Sequence, residues 1–162
     1  RKETGMSIKE GDTLPKTQFI TMTEDGPQPV DFDQFFKGRK VALFSVPGAY
    51  TPTCSARHLP GFVDKADELK AKGIDEIAVT AVNDAFVLGK WTEDAKDITP
   101  LADGNGEFVK ALDLTMDGTG YGMGTRGQRF SMIVDDGVVT KLNVEQPGDF
   151  RVSSADHMLE QL

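Results

Sequence analysis

The chain holds one cysteine, Cys54, and two histidines, His58 and His157, in 162 residues. A single cysteine excludes a disulfide within the chain and with it the small stapled secreted scaffolds, so the cytosol or an organelle matrix is the expected setting. So few ligating side chains, far apart except for Cys54 and His58, do not assemble a zinc site, and no metal or cofactor is expected. Basic residues are also in short supply: 18 Lys and Arg against 26 Asp and Glu leave a net charge of -8. That sign repels phosphate backbones and anionic lipid, which argues against nucleic acid and membrane surfaces as partners. Long apolar runs are missing as well. Val41-Ala42-Leu43-Phe44-Ser45-Val46 is among the longest, far short of the roughly 20 residues of a membrane span and suited to a buried strand.

What remains is an ordinary globular composition, 38% hydrophobic and 27% charged, with the length of a single domain. Arg1 to Gly5 precede Met6-Ser7-Ile8, which reads as a natural start, so residues 1–5 are expected to be an expression remnant or the end of a processed leader and residues 6–162 the domain. Thr17 to Thr23 alternates through Phe19, Ile20 and Met22 and runs into Glu24-Asp25-Gly26-Pro27, which predicts an early hairpin. A short helix over 31–36 closes at Lys37-Gly38. Lys40 to Val46 reads as a strand covered on both faces. Leu59, Phe62, Val63, Ala66 and Leu69 recur at helical spacing as far as Lys72-Gly73, with a kink expected at Pro60.

Ile77 to Val82 predicts the next buried strand, Asp84 caps a helix to about Ala95, Pro100 to Asp103 closes a short strand, and Glu107 to Leu112 is a short helix. Leu114 to Gly127 reads as a glycine-rich loop. Arg129 then opens a strand through Phe130 to Val134, Asp135-Asp136-Gly137 turns it, and Val138 to Val144 returns. Ser153 or Ser154 caps a last helix to Leu162. This order predicts an α/β fold, a thioredoxin-like sandwich with a central mixed sheet flanked by helices.

The chemistry concentrates where the strand at Lys40–Val46 meets the next helix. Thr51-Pro52 is a helix-start signal, which puts Thr51 at the N-cap and Cys54 in the first turn. There the unpartnered amides and the positive end of the helix dipole favour thiolate over thiol. A lone cysteine is more often a small buried apolar residue. Here a proline shapes the loop, a threonine hydroxyl lies three residues upstream, and the helix starts at the thiol, which together point to a nucleophile.

Pro47-Gly48-Ala49-Tyr50-Thr51-Pro52-Thr53-Cys54 resembles the Pro-x-x-x-Thr-x-x-Cys signature of the peroxiredoxins. Leu59-Pro60-Gly61-Phe62, Val82-Asn83-Asp84-Ala85-Phe86-Val87 and Arg129-Phe130-Ser131-Met132 are similar to the peroxiredoxin-5 subfamily, which includes plant type II enzymes and bacterial peroxiredoxin-glutaredoxin hybrids. The resemblance runs over nearly the whole chain from Ile8. It implies Cys54 as the peroxidatic cysteine, with Thr51, Pro47 and Arg129 as its active-site companions. Arg129 and Thr51 would hold the peroxide, helped by backbone N–H groups near Cys54 and with Thr53 and Gly48 lining the substrate, while Pro47 shields the sulfur from bulk water. Arg126 is the alternative arginine, able to reach the thiolate or to buttress the site.

Oxidation would carry Cys54 to a sulfenic acid. Where some subfamily members carry a resolving cysteine, this chain reads Arg151-Val152-Ser153-Ser154-Ala155-Asp156, so an external thiol must complete the cycle, with glutathione and glutaredoxin ahead of thioredoxin. The chain could be a whole enzyme or the peroxidase part of a longer hybrid. The resemblance also implies a homodimer with a contact near Phe86 to Trp91, although Trp91, Phe86 and Tyr121 by spacing alone read as core.

Rival readings remain. His58, four residues after Cys54, allows a cysteine-histidine hydrolase dyad, but no orienting partner or oxyanion hole is evident and a structural hydrogen-bonding histidine is the plainer reading. His157 carries no signal. A thioredoxin-type oxidoreductase would need its second cysteine where Arg57 stands. From another class, a redox sensor or chaperone-like protein would use Cys54 oxidation without turnover.

Overall fold

The computed structural model describes residues 7–162, so the expected leader remnant at 1–5 lies outside the described residues. The strand β3 (Lys40–Ser45) is fully buried from Val41 onward. It lies parallel to β4 (Glu76–Ala81), which is parallel to β5 (Ile98–Ala102). On the other side β3 pairs antiparallel with β8 (Phe130–Asp135), and β8 with β9 (Val138–Val144). The hairpin of β1 (Ile20–Thr23) and β2 (Gly26–Pro29) joins the far edge antiparallel to β5. The result is one mixed seven-stranded sheet in the order β2-β1-β5-β4-β3-β8-β9.

Side chains alternate across a strand, so β3 feeds both faces. Ala42 and Phe44 join one core cluster with α2 (Leu59–Asp64), α3 (Ala66–Ala71), α4 (Ala85–Trp91) and α6 (Ala155–Glu160). Val41 and Leu43 join the other with α1 (Phe32–Phe36) and α5 (Glu107–Leu112). This is the expected thioredoxin-like α/β arrangement. Asp31, Asp84 and Ser154 cap their helices through side-chain oxygens, which is why those starts are readable from sequence.

The helix after the cysteine departs from expectation. No simple kink sits at Pro60; the irregularity comes just before it, as a π-turn over Cys54–His58 in which the Leu59 N–H donates to the Cys54 carbonyl. Pro60 has no N–H for an α-type bond to Ala56, and the wider turn leads into it. A second break at Lys65 (φ -101°, ψ 7°) divides α2 from α3. α4 stops at Trp91 rather than near Ala95, where Thr92 Oγ1 donates to the Leu88 carbonyl at 2.9 Å, a local bond that competes with helix continuation.

The glycine-rich segment is more than a loop. β6 (Thr115–Asp117) pairs antiparallel with β7 (Thr125–Gly127), and Gly122 and Gly124, both at positive φ, let the chain return between them. Phe86 and Tyr121 are not core: they stand 65% and 86% exposed, while Trp91 is half-buried.

Candidate active site

The loop after β3 is held by backbone and side-chain bonds from several directions. Tyr50 takes a left-handed conformation (φ 69°), and the Thr51 N–H and hydroxyl both donate to the Gly48 carbonyl, at 3.3 Å and 2.7 Å. The Ala49 N–H donates to Asn83 Oδ1 at 2.9 Å. A Cβ on Gly48 would stand 3.2 Å from Arg126 Nη1 and 3.3 Å from the Thr51 methyl, so a side chain there would press on both. Thr51 therefore closes the loop with its hydroxyl instead of capping the helix with it. Its carbonyl accepts from the Ser55 N–H at 2.9 Å, which begins the helical run.

Cys54 is fully buried in the π-turn. Arg129 reaches it from the end of β7 and the start of β8, with Nη2 at 3.1 Å from Sγ. The expected cysteine and arginine are thus in contact. Arg126 is a buttress: Nε donates to the Met123 carbonyl at 2.9 Å and Nη1 lies 3.5 Å from the Pro47 carbonyl. Pro47, Thr53 and Arg129 line a cavity of about 300 Å³ together with Met116, Gln128 and the 145–149 segment.

His58 fixes the arginine. It is completely buried, with Nδ1 at 2.9 Å from Arg129 Nη1 and Nε2 at 2.8 Å from the Ser153 carbonyl. A carbonyl can only accept and a guanidinium can only donate, so Nε2 carries the proton and Nδ1 takes the arginine N–H. Burial, and then the Arg129 charge, push the imidazole down to about 3, so His58 stays neutral and holds one arm of the fork while the other points at Sγ.

The Ser153 carbonyl is itself placed by Glu145. That buried carboxylate accepts from the amides of Arg151, Val152 and Ser153 at 2.8 to 2.9 Å and from Ser153 Oγ at 2.6 Å. Burial opposes its charged form, but the Ser153 hydroxyl and these amides outweigh it and hold the carboxyl below the usual range. The Glu145 N–H in turn donates to the Arg129 carbonyl at 3.0 Å. On the other side, Trp91 Nε1 donates to Ser55 Oγ at 2.9 Å, tying α4 to the residue after the cysteine.

A family model described as Redoxin matches residues 9–159. Peroxiredoxin-2B of Arabidopsis thaliana is 45% identical over 96% of this chain and 98% of that protein. The chain belongs to the peroxiredoxin family. The hybrid peroxiredoxin hyPrx5 of Haemophilus influenzae is 43% identical over 97% of this chain and 67% of that protein. Among solved structures, reduced Prx3 of Vibrio vulnificus in complex with hydrogen peroxide is 51% identical, with a TM-score of 0.92 over 95% of this chain and 98% of that one. The thiol-peroxidase family, the subfamily resemblance and the thioredoxin-like fold all stand on these matches, and this peroxiredoxin has a single cysteine.

Two positioning residues of this peroxiredoxin escape a reading of the sequence. His58 is read there as a structural hydrogen-bonding residue in preference to a base for Cys54, and the fold agrees, but the Cys54-to-His58 spacing says nothing of its partner, an arginine 71 residues away. Glu145 follows a strand and looks like one more surface acid; its burial depends on a segment folding back eight residues later.

Proposed function

We propose that this chain reduces hydrogen peroxide and alkyl hydroperoxides at Cys54. The observation that carries the reading is the Arg129 donor 3.1 Å from Sγ, an arm prepared for an anionic sulfur and for charge on the departing oxygen. The sulfur attacks the terminal oxygen of the peroxide and forms the S–O bond as the O–O bond breaks. The other oxygen leaves with the electron pair and takes a proton as water or alcohol. Sulfur is oxidised by two electrons to the sulfenic acid. Thr51, whose proton is directed to Gly48, keeps oxygen lone pairs to accept from the peroxide O–H. Gly48 and Thr53 border the substrate, and Pro47 keeps bulk water from the sulfur.

With no second cysteine, the sulfenic acid is returned to thiol by glutathione with glutaredoxin, or by thioredoxin. The glutaredoxin route is favoured by the 43% likeness to a hybrid peroxiredoxin. Residues 6–162 act as one peroxidase domain. The exposed Phe86 on α4 supports a homodimer. Among the described residues no helix is long and apolar enough to cross a membrane, and chloroplastic relatives at 44% identity support an organelle matrix as well as the cytosol.

The test is peroxide consumption by the purified chain with glutathione and glutaredoxin. Cys54→Ser should abolish turnover and Arg129→Ala reduce it about 10²- to 10³-fold. Wild type turning over no faster than Cys54→Ser overturns the proposal, and a single stoichiometric oxidation with no reducible product points to the sensor.

A further inference from the structure

The sequence has six arginines, of which Arg39, Arg57, Arg126, Arg129 and Arg151 are described. Arg39 pairs with Glu76 at 2.6 Å. The side chains of the other four pair with no carboxylate among the described residues. Three of these, Arg57, Arg126 and Arg129, belong to the neighbourhood of Cys54, in a chain with 26 acidic residues. Arg129 and Arg126 are engaged there, on the sulfur and on the Pro47 carbonyl. Arg57 is exposed, and its contact is the Phe150 ring, 4.6 Å from guanidinium carbon to ring centroid. The same ring has Arg129 at 6.0 Å and His58 at 5.1 Å. Arg151, also exposed, follows directly.

Stacking on an aromatic face steadies a guanidinium while leaving its N–H groups free for an anion. Arg57 lies three residues after Cys54 in the same π-turn, and the Phe150 ring it stacks on also meets Arg129, which contacts Sγ. We propose that Arg57, held by Phe150, recognises the carboxylate of a low-molecular-weight peptidic thiol of the glutathione class that reduces the Cys54 sulfenic acid. This rests on the reading of Cys54 as a peroxidatic cysteine resolved from outside the chain.

The thiol sulfur attacks the Cys54 sulfur, the S–O bond breaks, and the hydroxyl leaves with the thiol proton as water. A second equivalent of the same thiol then attacks the mixed disulfide, releases Cys54, and leaves as the small-molecule disulfide. In a tripeptide with a central cysteine each carboxylate lies about half of the roughly 10 Å extended length from the thiol residue, on the scale of the 6.0 Å between the Phe150 ring and the Arg129 guanidinium that contacts Sγ. Nearby acids do not cancel the site: Glu145 is occupied by four donors, which leaves Asp149 as the carboxylate at the cavity edge.

The experiment uses the whole chain, oxidised at Cys54 with one equivalent of hydrogen peroxide and mixed rapidly with glutathione or with glutathione diethyl ester. Mixed-disulfide formation is read by quenched mass spectrometry, and the rate ratio of glutathione to ester is taken for each protein, so that differences in shared chemistry cancel. At low ionic strength Arg57→Gln should lower that ratio about three- to fivefold, and Arg57→Lys, which keeps the charge but not the planar fork, should fall between Arg57→Gln and wild type. The difference should shrink at about 0.15 M salt. A ratio unchanged in Arg57→Gln, or lowered equally in Arg57→Lys, overturns the proposal and leaves external resolution standing. If neither thiol reduces the wild-type sulfenic acid, reduction by small thiols fails and this proposal with it.

Discussion

Acidification should destabilise this protein through His58 before its carboxylates are reached. The imidazole titrates at 6.5 when solvated and at about 3 in the fold. Between those values the unfolded chain binds a proton that the folded chain refuses, so folded stability falls as the pH drops through that window. The contribution is complete above 6.5 and declines below it. Integrating the linkage relation, wild type at pH about 5 should be roughly 2 kcal/mol less stable than at pH about 7.5. With a urea dependence of about 2 kcal/mol per molar, the unfolding midpoint should move down by roughly 1 M. The assay is urea unfolding at both pH values and fixed protein concentration, compared with His58→Phe. The variant loses the bonds to Arg129 and Ser153 and starts less stable, but its midpoint should move much less between the two pH values. Equal shifts in wild type and variant would refute the argument that His58 is held neutral.

The other predictions concern the supports of the site. Glu145→Gln removes the charge that four donors address, and should cost about 2 to 3 kcal/mol in urea unfolding at neutral pH while slowing Cys54 oxidation, because Ser153 no longer holds His58. Thr51→Val removes the hydroxyl that binds the Gly48 carbonyl, and should slow oxidation by peroxide about 10- to 100-fold by stopped-flow kinetics. Gly127→Ala would bring a Cβ to 2.7 Å from Val109 Cγ1, so a loss of about 1 to 3 kcal/mol in unfolding stability is expected.

Much of the fold is legible along the chain because its signals are local. The all-apolar run of β3, the caps at Asp31, Asp84 and Ser154, and the Asp135-Asp136-Gly137 turn each combine pattern and chemistry within a few residues. The misses have a common origin in bonds or packing that local pattern does not encode. The β6-β7 hairpin is built of three-residue strands, too short to alternate visibly, and the π-turn depends on how the chain enters Pro60. Phe86 and Tyr121 look like core by spacing, yet Phe86 stands on the outer side of α4 and Tyr121 in the turn between β6 and β7, both exposed.

The candidate site divides in the same way. Pro47, Gly48, Thr51, Thr53 and Cys54 stand in one segment, and Arg129 is reached through its resemblance to a family pattern. The arm that aims Arg129 runs through His58, Ser153 and Glu145, residues brought together across separations of up to 95 positions. Only the folded chain makes those three neighbours.

The central claim is that Cys54 is a peroxidatic sulfur armed by Arg129. It is tested most directly by the second-order rate at which hydrogen peroxide oxidises the reduced chain in a single turnover. Trp91, bonded to Ser55 beside the cysteine, supplies the fluorescence signal, and a sulfenic-acid trap identifies the product by mass. Cys54 should carry one trapped oxygen equivalent, formed far faster than on a free cysteine thiolate at the same pH and slowed about 10²- to 10³-fold in Arg129→Ala. A wild-type rate no greater than that of the free thiolate, or one indifferent to Arg129, would contradict it.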